Sequence, residues 1–302
     1  MSAQADSLKS IFFALGANLA IAVAKTGGAV FTGSSSMLAE AIHSYADCGN
    51  QALLIWGLRE SGRTPTADHP LGFGKAIYFW SFIVALMLFS MGGLFSIYEG
   101  VHKLHQSEPM QHAWVAVAIL VFGVVAEGVS LWGCVREIDK VRGAQNLWQW
   151  FRSSRHSELL VVFGEDLAAL GGLVLALGFI ALSALTGNAM WDAVGSIAIG
   201  VLLVIVAMLV GVEVKALLVG QSAEPQVVVA MRQHLQAQPE VAQIYNLLTQ
   251  QLGGEVMVAV KACMTSQASD IALVEAINRV ERGLREAFPQ IRWIFFEPDI
   301  RD

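Results

Sequence analysis

The residues of this chain best suited to chemistry stand inside long apolar runs, where polar side chains are least expected. Glu40, His43, Asp47 and Asn50 are separated by three, four and three positions. At 3.6 residues per turn all four fall on one helix face. His43 and Asp47, at i and i+4, offer one ion an imidazole nitrogen and a carboxylate oxygen, ligands suited to zinc and its neighbours. A later apolar run carries Glu165 and Asp166 side by side. Adjacent helical positions point about 100° apart, so both reach one centre only if a side chain bends. One is expected to be a ligand, the other a supporting or proton-carrying group.

A lone His or Asp in a membrane-spanning helix can simply hydrogen-bond a neighbour. Several carboxylates in hydrocarbon are a different matter, because they need cations or protons to neutralise them. Lys25 is the only Lys or Arg well inside an apolar run. Glu99 and Glu127 are weaker candidates, Glu99 lying near a helix end. Asp192 follows a Gly-Asn turn and is expected to cap a helix N-terminus. The pairs Gly92-Gly93 and Gly171-Gly172 are expected to permit close helix packing.

These residues must be held by membrane-spanning elements. The 302 residues are 55% hydrophobic and 15% charged, with a mean hydropathy of +0.56. Ordinary soluble domains carry about 25% charged residues. Six segments approach the roughly 20 apolar residues a spanning helix needs: 8–32, 36–58, 76–101, 113–135, 158–185 and 190–218. The connections alternate in charge. Nine Lys or Arg (Lys9, Arg59, Arg63, Lys75, Arg136, Lys140, Arg142, Arg152, Arg155) face one, Lys103. The positive-inside rule then places both termini in the cytoplasm or its topological equivalent. Trp148 and Trp150 are expected at the membrane interface. Met1 to Lys9 is polar, and the apolar stretch after it is too long for a signal-peptide core, so the N-terminus is expected to be retained.

After Gly220 the pattern changes to short elements. Helix Pro225 to Gln238, strand Val241 to Gln250, a Gly253-Gly254 turn, strand Glu255 to Cys263, helix Asp270 to Phe288 and strand Ile291 to Phe296 are expected, with Asp270 as N-cap. This order gives a small two-layer α+β domain. The expected division is 1–220, a transport domain, and 221–302, a soluble domain. Cys48, Cys134 and Cys263 make no CxxC pair. A net charge of −6 without a basic tract argues against nucleic acid. No nucleophile–base pair, phosphate loop or cofactor motif points to an enzyme, and no cofactor is expected.

Taken together, the chain resembles the cation diffusion facilitators. The resemblance is carried by Thr32-Gly-Ser-Ser-Ser-Met-Leu-Ala-Glu-Ala-Ile-His43-Ser-Tyr-Ala-Asp47-Cys-Gly-Asn50-Gln51, by His69-Pro-Leu-Gly-Phe-Gly-Lys75, by Glu165-Asp166-Leu-Ala-Ala and by Trp191-Asp192-Ala-Val-Gly-Ser196. It implies a six-helix transmembrane bundle with a ferredoxin-like cytoplasmic domain. It also implies a homodimeric antiporter that exports a divalent metal, zinc first, in exchange for protons. The expected location is the cytoplasmic membrane of a bacterium. The family's transport site takes an H/D-x-x-x-D pair from the second and from the fifth span. His43 and Asp47 match the first pair and Asp166 the end of the second. The remaining position is Val162, a departure for which Glu165 is the substitute. The Glu-Asp pair resembles a divergent branch that includes a mitochondrial zinc transporter of animals. Loss of the second imidazole leaves more oxygen ligands, which favour harder ions such as manganese.

Accessory metal sites look reduced. His69 and Asp68 remain in the loop, but Phe73 stands where a second histidine is often found. Glu297, Asp299 and His234 are the thin equivalent of a soluble-domain cluster, so that domain is expected to serve dimerisation. The rival readings are a membrane metal sensor, which binds without transporting, and a channel for a small polar solute.

Overall fold

The structure, a computed structural model, describes residues 18–105 and 113–301. The start of the first expected span and most of the connection 102–112 lie outside them. In chain order the helices are α1 (18–32), α2 (Ser35–Ser61), α3 (Ala76–Leu104), α4 (Ala113–Val141), α5 (Leu147–Ser153), α6 (Ser157–Thr186) and α7 (Met190–Val219). Then follow α8 (Pro225–Gln236), β1 (Val241–Leu252), β2 (Glu255–Met264), α9 (Asp270–Ala287) and β3 (Ile291–Pro298). Among the described residues, α3, α4, α6 and α7 are long and apolar enough to cross a membrane. Helix α2 has 27 residues, about 40 Å at 1.5 Å per residue, but its polar face lowers its hydropathy. With α1 and α2 these make the expected six-helix part.

The chain divides into two compact units. One comprises the described residues up to Gly57 with Trp80–Ala144 and Glu158–Glu213. In it, α3 and α7 touch through glycines. A Cβ on Gly93 would strike Val204, one on Gly100 would meet the Ala193 carbonyl oxygen at 2.7 Å, and one on Gly200 the Gly93 carbonyl oxygen at 2.6 Å. Small residues let backbones approach where hydrocarbon supplies no hydrophobic drive between helices. Helix α3 passes through a π turn at Leu88–Leu94. Such a turn disturbs the usual carbonyl pairing. Ser96 Oγ donates to the Gly92 carbonyl at 2.6 Å, and Ser196 Oγ of α7 donates to the Ser96 carbonyl at 2.8 Å. At one end of the unit, Asp192 in the first turn of α7 accepts from Ser34 Oγ at 2.8 Å and from the Ser36 backbone N–H at 3.4 Å. Asp192, an acid in the first turn of its own helix, thus also caps the start of α2, a neighbouring helix. Lys103 donates to the Gly33 carbonyl just past α1.

The second unit comprises Leu58–Phe79, Gln145–Ser157 and the chain from Val214. Its sheet has the order β1-β2-β3, with β1 and β2 antiparallel and β2 and β3 parallel. The parallel pair is joined through α9, as such a pair requires. Val258 and Val260 face Met231 and Leu235 of α8 and Val280 and Leu284 of α9, forming the core. Leu248, Ala259 and Phe295 lie in register on the opposite face. The N-cap of α9 is Ser269, whose Oγ accepts from Ala272 N at 3.2 Å. Asp270 is displaced to the first turn, where its charge still favours the helix start. Trp148 is exposed, whereas Trp150 is buried at 2% exposure.

The loop before α3 is tied to the β1–β2 hairpin. Gly253, at φ +67°, donates its N–H to Tyr78 Oη at 2.9 Å. A Cβ on Gly74 would strike the Leu252 carbonyl oxygen, which is backbone and cannot swing aside. Gly74→Ala should therefore force the two segments apart, at a cost of about 1–3 kcal/mol as for overpacking elsewhere. Trypsin cleavage of the full-length protein at Arg63 and Lys75 should speed up by roughly tenfold. Wild-type cleavage rates would show that the loop is held elsewhere.

Candidate metal centre

The centre is built along one face of α2. Glu40, His43, Asp47 and Asn50 are all buried there, as their spacing requires. His43 Nδ1 lies 3.5 Å from Asp47 Oδ1, with the imidazole side chain fully buried. Neither ring nitrogen of His43 has a hydrogen-bond partner, and neither do Asp47 Oδ1, Asn50 Oδ1 and Gln51 Oε1. Buried polar atoms are normally paired, since an unpaired one costs about 1–3 kcal/mol. Five such atoms within nine residues of one helix are a strong exception. Four of the five can serve a cation together, since a neutral imidazole keeps a proton on one of its two nitrogens. Gly92, inside the π turn of α3, lies against the imidazole: a Cβ there would sit 3.7 Å from Nδ1.

Helix α6 splits its two acids. Glu165 is buried and its Oε1 accepts from Asn50 Nδ2, which joins it to the α2 face. Asp166 turns to α4, where Ser130 Oγ lies 3.2 Å and 3.3 Å from its two carboxylate oxygens. The expected divergence of about 100° between neighbours is thus realised. Val162, one turn before Asp166, is half-buried. Among the described residues, no three of His, Cys, Asp and Glu stand close enough to hold one ion. The structure brings together His43 with Asp47, and Asn50 with Glu165; it sets Asp166 apart.

Glu40 belongs to a different arrangement. Lys25 of α1, fully buried, places Nζ 3.2 Å from Glu40 Oε2 and 2.8 Å from Ser44 Oγ. Breaking a buried ion pair by removing one partner costs about 3–5 kcal/mol. On α6, Gly172 makes room for this carboxylate, since a Cβ there would strike Glu40 Oε1. The sequence marks Lys25 as the single intramembrane basic residue but gives no sign of its partner, because the pairing joins two helices. The links from Asn50 to Glu165 and from Ser130 to Asp166 are hidden for the same reason.

The accessory candidates are engaged otherwise. His69 stacks on Phe73, with ring centroids 4.4 Å apart. Asp299 pairs with Lys261 at 3.2 Å. The Ile300 N–H, and then Lys261, hold its carboxyl below the usual range. His234 lies 3.2 Å from Gln238 Nε2 and edge-on to Phe288, with ring centroids 5.9 Å apart.

Residues 11–219 match the cation efflux transmembrane domain. The chain is 38% identical over 227 residues to the mitochondrial proton-coupled zinc antiporter SLC30A9 of Xenopus laevis, covering 74% of this chain and 40% of that protein. The Homo sapiens protein of the same name is 35% identical over the same shares. Metal tolerance protein C4 of Arabidopsis thaliana is 29% identical over 249 residues, 82% of this chain and 54% of that protein. The chain spans less than half the length of the vertebrate relatives and about half that of the plant protein. With a match that runs across the whole helical part, and an α2 face of buried unpaired ligand atoms, this chain belongs to the cation efflux family of membrane transporters.

Proposed function

We propose that the protein exports a divalent transition-metal ion, zinc first, in exchange for protons, and that His43, Asp47 and Glu165 take up the ion. The observation that carries this is His43: a fully buried imidazole with no hydrogen bond to either nitrogen, its Nδ1 3.5 Å from Asp47 Oδ1. A merely structural histidine would have its nitrogens paired. Glu165 reaches the ion by leaving Asn50, which its longer side chain permits. Asp166, beside Ser130, serves as the neighbouring proton-carrying acid. Ligands bind metal only when deprotonated, so loading releases protons. When the bundle opens to the other side, protons from that side compete for the same ligands and expel the metal, as in alternating access around a midplane site. The relatives named zinc antiporters support zinc and the proton exchange. The nine basic residues on the side of the termini support a cytoplasmic or equivalent placement of that side.

The protein would act as a homodimer held by the soluble domain. The support is the outer sheet face, where Leu248 and Phe295 are 60% and 54% exposed in one register row. Exposed apolar side chains in one patch mark association surfaces. Phe295→Asp should shift the detergent-solubilised protein from dimer to monomer by light scattering; an unchanged mass would move the interface elsewhere.

Transport is tested with full-length protein in vesicles carrying a trapped metal-sensitive dye and a pH gradient. Asp47→Ala should lower zinc flux by at least about a hundredfold, in line with loss of a ligand rather than a neighbour. Glu165→Gln keeps the size and removes the titrating carboxyl. It should cut flux strongly and flatten its dependence on pH between about 6 and 8, because one ligand for which protons compete is gone. Wild-type flux in Asp47→Ala would refute the site. Zinc flux without any pH gradient, unaltered by Glu165→Gln, would favour a channel.

Metal choice follows from the single imidazole. His43→Asp leaves an all-oxygen set and should move preference from zinc toward manganese. An unchanged order of zinc, manganese and cobalt fluxes would place His43 outside the ligand set.

A further inference from the structure

We propose that Glu40 and Ser44 form a second cation station next to His43 on the α2 face, and that the Lys25 ammonium is its tethered occupant, a built-in cation that gives way to a divalent metal. The proposal rests on the transport reading above. Lys25 and Glu40 are both fully buried, and among the described residues Lys25 is the only buried Lys or Arg. Nζ takes Glu40 Oε2 and Ser44 Oγ, yet Glu40 Oε1 has no partner. The carboxylate is therefore half used. Its free oxygen points at Gly172, the one residue type that leaves space for it on α6.

The station continues the line of ligand atoms. Steps of three, four and three residues separate Glu40, His43, Asp47 and Asn50, or about 4.5, 6 and 4.5 Å along the axis. These are short hops for an ion. A carboxylate on such a path must be neutralised in every state. With metal elsewhere, the ammonium does this. Lysine suits the task better than arginine, being a compact charge on a flexible stem with no fork to lock it in place. The stem passes Gly123 of α4, where a Cβ would already lie 3.6 Å from Cε. Glu40 and Ser44 supply oxygen donors, so the station would accept manganese as readily as zinc.

Full-length protein in detergent, dialysed to equilibrium against zinc alone or manganese alone, tests this. Lys25→Met should bind one more ion per chain than wild type, and the double variant Lys25→Met, Glu40→Gln should lose that ion again. Lys25→Arg should bind as wild type. Equal binding by Lys25→Met and the double variant overturns the proposal and leaves the ion pair a structural tie. If Lys25→Met folds poorly, the wild type decides. At millimolar manganese it should take up a weak additional ion that Glu40→Gln does not. Absence of that ion, or its survival in Glu40→Gln, overturns the proposal equally. Asp47→Ala is run beside both, and should remove one ion. If it removes none while Lys25→Met still gains one, the cargo site at His43 and Asp47 falls and the station at Glu40 stands.

Discussion

Every other feature of this protein depends on one constraint: in hydrocarbon, a charge or an unpaired polar atom must find a partner or be relieved by an ion. The bundle meets it in three ways. Lys25 pairs with one oxygen of Glu40. Asn50 and Ser130 give hydrogen bonds to Glu165 and Asp166. His43 and Asp47 keep ligand atoms without partners. The first two arrangements are what a stable bundle would choose. The third costs stability, and a cation of matching chemistry recovers it. The proposed carriers of function are therefore the places where hydrogen bonding is left incomplete.

Much of this was legible in the chain itself. A run of 20 or more apolar residues has no alternative to a helix in a membrane, so the helix order could be read without structure. The polar face of α2 followed from its spacings, because all four residues lie on one helix. The small α+β domain followed from alternating strands and a Gly-Gly turn. The glycine pairs pointed to close helix packing, but the polar pairings between separate helices were silent. Nothing in the spacing says that Lys25 meets Glu40, that Glu165 turns to α2 while Asp166 turns to α4, or that Asp192 caps α2. Nor does the indole pair in the sequence say that Trp150 is buried while Trp148 is exposed.

Helix α2 shows how function hides an element from composition. It has 27 residues, yet it does not meet the apolar measure that α3, α4, α6 and α7 meet. The residues that spoil its hydropathy are the candidate ligands and their neighbours. The surrounding helices supply the apolar mass, and glycines at 92 and 172 let them close around the polar face. The helices thus divide into apolar ones that bury and one that carries the candidate ligands.

The π turn at Leu88–Leu94 has a geometric consequence for α3. A π turn spends one residue more than an α turn, which offsets everything after it by about 100° of rotation. A helical wheel drawn straight through α3 would misassign its second half. Before the turn Met87 faces Gly49 of α2; from Gly93 at its end onward, Gly93, Ile97 and Gly100 face α7. One helix thus presents two different edges, one to the helix that carries the ligands and one to the helix that caps it. The phase slip between those edges sits beside the imidazole of His43.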